Sequence, residues 1–181
     1  MTCWKTINLS KDYGFHRLFF LSFLISILAF IVMYVSMQLF FHSRPLEDNG
    51  LIYVCLIALL LVPGHQIIHI MALKLMGKKV QTKIVKKGIF PIITIKQCGL
   101  LSKPVALLTI LAPIMFFSMV LFLFSLMYPA YMHYVSILIA INIGICVSDL
   151  LYSYHIFKAP RKCMLDENNG GYDIILYEEN M

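Results

Sequence analysis

His65 and His69 stand four residues apart in the run Leu51 to Met76, which is otherwise almost wholly apolar. On a helix that spacing puts both imidazoles on one face, one turn apart, where two nitrogens can ligate a single ion. A third candidate is Asp149, the only acidic residue in any of the long apolar runs. His69 precedes Lys78 by nine residues and Asp149 precedes Lys158 by nine. If those lysines mark one membrane interface, both groups lie about 13 Å inside it. Two imidazoles and a carboxylate at one depth make a three-ligand site with a position open for water, the pattern of a catalytic zinc centre rather than a structural one. Zinc, cobalt and iron all accept such ligands. Other readings stand beside this one. The histidines could bond to neighbouring helices without any metal. Asp149 could pair with His155 or Lys158, or sit protonated in the bundle.

The neighbours of these residues fit a polar pocket. Pro63 and Gly64 loosen the helix just before His65. Asn142 lies seven residues before Asp149, on the same face of a continuous helix, as a supporting partner. Gly144 and Ser148 form a small-xxx-small pair that permits close helix approach. Pro113 reads as an ordinary kink at similar depth.

The elements that must hold these groups follow from composition. Of 181 residues, 60% are apolar and 13% charged, well away from the balance of a soluble domain. The excess collects in four blocks, Leu18 to Phe41, Leu51 to Met76, Pro104 to Tyr128 and Tyr131 to Phe157. Each exceeds the roughly 20 residues that cross about 30 Å of hydrocarbon. The expected fold is an α-helical membrane protein of about four transmembrane helices with a small cytoplasmic β-hairpin element. Its parts are an N-terminus at 1–17, a membrane domain at 18–157 with a cytoplasmic loop at 77–103, and a tail at 158–181. The first block is too long for a signal-peptide core and reads as a retained anchor.

Charge sets the orientation. Of the 15 lysines and arginines, 14 lie before the first block, around the loop after the second, or after the fourth, and only Arg44 lies elsewhere. The positive-inside rule then places both termini in the cytoplasm of a multi-pass plasma-membrane protein. The net charge of +6 accordingly points to anionic lipid headgroups of the bilayer and not to nucleic acid. The outer loops, 42–50 and 128–133, are too short for a receptor domain. Within the basic loop, Lys79 to Val85 alternates and is β-branched, Gly88 breaks the run, Pro91 to Ile95 is a second β-type stretch and Gly99 ends it, which predicts a hairpin. In the tail, Asp166 to Gly171 reads as a turn and Tyr172 to Tyr177 as one strand. The five cysteines form no CxxC pair. Cys55 and Cys146 read as small apolar residues within membrane blocks, and no disulfide framework is expected.

With His65-Gln66-Ile67-Ile68-His69 and the later Gly144-Ile145-Cys146-Val147-Ser148-Asp149-Leu150 in view, the chain resembles the bacterial putative zincin peptidase family, membrane proteins of unknown function similar in plan to site-2 proteases. The resemblance runs from the second block through the tail. It implies zinc as cofactor and His65, His69 and Asp149 as metal ligands. The family pattern is HExxH, and this chain carries Gln66 where the general-base glutamate belongs. A glutamine can orient a water but cannot take its proton. The resemblance with this departure implies a degenerate metallopeptidase, a pseudoprotease that binds a membrane-protein or peptide partner, the hairpin offering an edge strand. An active intramembrane zinc metallopeptidase and a metal-free membrane scaffold are the alternatives.

Overall fold

The structure is a computed structural model. It describes residues 2–40, 45–78, 80–87, 90–97, 99–160, 163–168 and 171–176. Arg44, Gly88, Cys98, Arg161, Lys162 and Tyr177, on which parts of the sequence reading rest, lie outside the described residues.

In chain order the elements are strand β1 (Thr2–Ile7), helices α1 (Leu9–Asp12), α2 (Phe15–Phe40) and α3 (Leu51–Leu75), strands β2 (Val80–Lys87), β3 (Phe90–Gln97) and β4 (Leu101–Ser102), helix α4 (Lys103–Met127), a 3-10 turn (Pro129–Tyr131), helices α5 (Met132–Ile145) and α6 (Val147–Lys158), and strands β5 (Cys163–Asn168) and β6 (Gly171–Leu176). Helices α2, α3 and α4 hold 26, 25 and 25 residues. At 1.5 Å per residue each is about 38 Å long, enough to cross a bilayer. They carry exposed apolar side chains along their length, among them Phe19, Phe23, Leu59, Leu60, Met115 and Met119, the kind of surface that marks contact with a membrane or another protein.

The fourth apolar block is not one straight helix. It breaks at Cys146, where α5 and α6 meet at a bend of 50°. The chain thus has three helices long and apolar enough to cross a membrane, or four if the bent pair is one span.

The chain divides into two compact units, one of Met1–Gly14, Gln66–Ala112 and Asp149–Met181, the other of Phe15–His65 and Pro113–Ser148. In the second, α2 packs on α5 through Met37, Met132, Val135 and Ile139, while Val54 and Leu61 of α3 meet Tyr134 and Leu138 of α5. Gly144 is where α5 touches α2. A Cβ there would collide with the Ser26 hydroxyl and lie 3.3 Å from the Ser22 carbonyl oxygen. The small-residue reading of Gly144 therefore holds, and its partner stripe is Ser22 and Ser26.

In the first unit the structure adds a sheet that was not expected. Four antiparallel strands run in the order β1-β6-β5-β4. Asp166 to Asn168, read as part of a turn, belong to β5, which pairs with β6 from Cys163↔Leu176 to Asn168↔Gly171. The first residues, for which the sequence reading named no element, form β1 on the far side of β6. Ile7, Leu101, Leu165 and Ile174 are buried from these strands. Lys103 Nζ donates to the carbonyls of Phe157 (3.0 Å) and Ala159 (2.6 Å), so a cation caps the carbonyl end of α6. The hairpin expected in the basic loop is present, with β2 and β3 in register from Val80↔Gln97 to Lys87↔Phe90. Gly99, at φ +99°, follows it.

Gly144→Ala is expected to lower thermal stability in detergent, by about 1–3 kcal/mol of overpacking. Because the Ser26 hydroxyl is the nearest obstacle, Ser26→Ala in the same chain should restore most of the loss. Equal melting temperatures for wild type and Gly144→Ala would show that the helices do not meet there.

Candidate metal centre

Helix α3 is continuous through Pro63 and carries both histidines. The boundary between the two units passes between His65 and Gln66, and again between Ser148 and Asp149.

In the unit of Phe15–His65 and Pro113–Ser148, His65 is 5% exposed and Cys146 is 1% exposed. The Cys146 sulfur lies 3.6 Å from His65 Nδ1. The thiol is also 3.9 Å from Asn142 Oδ1, and Asn142 Nδ2 donates to Ser118 Oγ at 3.3 Å. Gly64, immediately before His65, leaves room for the Phe117 ring, which an added Cβ would meet at 3.0 Å. Asn142 thus supports a pocket as expected, but its contacts run to Cys146 and Ser118. The seven-residue spacing that linked it to Asp149 does not apply across the break at Cys146.

In the other unit, His69 Nε2 is 3.3 Å from Asp149 Oδ2. On the opposite side of the ring, His69 Nδ1 is 2.9 Å from the Thr109 carbonyl oxygen. That oxygen only accepts, so Nδ1 carries the hydrogen and donates it. The carbonyl is available for a reason written in the sequence. In α4 its helical partner would be the N–H of residue 113, and residue 113 is proline, which has none. Pro113 therefore does more than kink a helix: it exposes the acceptor that orients His69. Of the alternatives for Asp149, the pair it forms is with His69. Lys158 Nζ lies over the Tyr154 ring instead, 4.3 Å from its centre.

These separations fit a divalent ion. With Nδ1 protonated, a neutral His69 turns the Nε2 lone pair toward a carboxylate oxygen. The two repel unless a proton or a cation lies between them. Tetrahedral zinc, about 2.0–2.2 Å from nitrogen and oxygen and about 2.3 Å from sulfur, holds an N/O ligand pair about 3.3–3.5 Å apart and an N/S pair about 3.5–3.6 Å apart. The His69–Asp149 and His65–Cys146 separations match those two values. A ligating imidazole whose other N–H is tied to a backbone carbonyl is also the usual outer arrangement of such sites.

The family model described as "Putative zincin peptidase" matches residues 57–164, more than half of the chain. The chain belongs to this family. The matched region takes in both histidines, Thr109, Pro113, Cys146 and Asp149. No curated protein and no solved structure matches the chain.

Zincins read HExxH, with two histidines on one helical face and the glutamate as general base. Here the second position is Gln66, half-buried on α3. Cys146 is the donor that sequence reasoning passed over. A lone cysteine in an apolar run looks like a small hydrophobe, yet it sits three residues before the only acid in those runs, which was the available signal.

Pro113→Ala supplies an N–H that competes for the Thr109 carbonyl. In histidine-labelled protein in detergent, ¹⁵N NMR is expected to show the His69 proton on Nδ1 in the wild type and a shift of population toward Nε2 in the variant. An unchanged tautomer would show that the carbonyl does not set it.

Proposed function

We propose that this chain is a degenerate member of the zincin peptidase family, one that holds a divalent ion, zinc, within the membrane but does not hydrolyse peptides. His65, His69 and Asp149 are the ligands. The observation that carries the metal reading is the His69–Asp149 pair, with the far side of the imidazole fixed by the Thr109 carbonyl. Bound zinc supplies a Lewis acid.

What the rest of the chain does with that acid decides the function. In a hydrolytic zincin, the residue after the first histidine takes a proton from water and delivers it to the leaving amine. The Gln66 amide can hold a water by hydrogen bonds but cannot ionise. That step is worth roughly 100- to 10,000-fold in rate. Binding is what remains: the pocket retains a membrane segment or extended peptide of a partner instead of cutting it. The distribution of lysine and arginine supports a multi-pass plasma-membrane protein with both termini in the cytoplasm, which puts the β2–β3 hairpin on the cytoplasmic side.

Full-length protein purified in detergent is expected to contain about one zinc per chain, and His65→Ala with Asp149→Asn to contain none. Metal absent from both would leave a membrane protein with structural histidines. Zinc-loaded wild type is expected to leave a reporter membrane peptide intact. Cleavage by the wild type that the double variant lacks would overturn the degenerate reading and establish an active peptidase.

A further inference from the structure

Cys146 has no part in the three-ligand site, and its surroundings give it one. It is nearly completely buried, it stands at the 50° break between α5 and α6, and its sulfur lies 3.6 Å from His65 Nδ1. It directly precedes the first residue of α6, with Asp149 the third residue of that helix. The first turn of a helix carries partial positive charge, which stabilises anionic groups placed there. A thiolate and a carboxylate are thus set on one helix start, as two imidazoles are set on one face of α3.

We propose that Cys146 is a fourth protein ligand to that ion, beside His65 in the same unit. This rests on the metal reading above. The His65–Cys146 separation is that of two ligands across a tetrahedral zinc, and the chemistry of the set suits it: two imidazoles, a thiolate and a carboxylate are all established zinc donors. Four protein ligands fill the coordination shell. Hydrolytic zinc sites keep one position for water or substrate, whereas sites closed by four protein side chains are structural. The thiolate occupies that position here. Loss of hydrolysis then has two separate causes, a missing base at Gln66 and a closed ion.

The test uses the full chain in detergent with Cys3, Cys55, Cys98 and Cys163 replaced by serine, so that Cys146 is the one thiol. Cobalt(II) is titrated into metal-free protein. One cobalt per chain with a near-ultraviolet thiolate-to-cobalt charge-transfer band is the expected result. Cys146→Ser should abolish that band, keep the visible ligand-field bands and the stoichiometry, and weaken zinc binding by at least about tenfold, since even outer-shell changes cost that much. One bound cobalt with no charge-transfer band would overturn the fourth ligand and leave the three-ligand site standing. No bound cobalt would overturn both. A second readout is independent of the spectrum. Gln66→Glu alone should stay inactive on a membrane peptide, while Gln66→Glu with Cys146→Gly should gain hydrolysis. Equal activity of the two would show that the thiol closes nothing.

Discussion

Polar atoms placed among apolar helices must be satisfied from within the chain, because hydrocarbon offers neither donors nor acceptors. Several polar groups in the long apolar runs of this protein meet that constraint within the chain. The His69 imidazole is held on one side by a backbone carbonyl and faces a carboxylate on the other. The carbonyl comes from a helix that gives up one internal bond, since Pro113 has no N–H to offer Thr109. A proline that would be a defect in a soluble helix is here the source of an acceptor at the required depth. The hydroxyls obey the same rule locally: Thr109 Oγ donates to the carbonyls of Val105 and Ala106, and Ser136 Oγ donates to that of Met132.

The same constraint explains the elements that surround the donors. Helix α6 ends on carbonyls without helical partners, and Lys103 supplies its ammonium to two of them. That lysine is the first residue of α4, the helix that also carries Thr109. One cation therefore anchors the helix bearing Asp149 to the helix that orients His69, within a single unit. Strands β5 and β6 follow directly from α6, and pairing with β1 and β4 satisfies their backbone groups in a four-stranded sheet.

A thiol, two imidazoles and a carboxylate on two helical segments are expensive to bury without a shared partner. In the proposed reading a divalent ion offsets that cost. Glutamine at position 66 removes the base while keeping a side chain of the same shape on α3.

Much of this protein was legible in its sequence, for local reasons. Helix length in a bilayer is fixed by hydrocarbon thickness, so the long apolar runs could be counted. Period 3.6 put His65 and His69 on one face, and β-branched alternation between Lys79 and Ile95 announced the hairpin, because neighbours along the chain alone decide both. The rest depended on contacts between distant segments. The pairing of β1 with β6 joins residues about 170 positions apart, and nothing in Thr2 to Ile7 names its partner. Gly144 announced a close helix approach, but not that Ser26 would be its partner or that the helix would bend at Cys146. Pro113 was visible in the sequence, but only the approach of Thr109 to His69 shows what it does. Cys146 likewise became a candidate ligand once its sulfur was found beside His65, because a thiol's role is set by which buried group it meets.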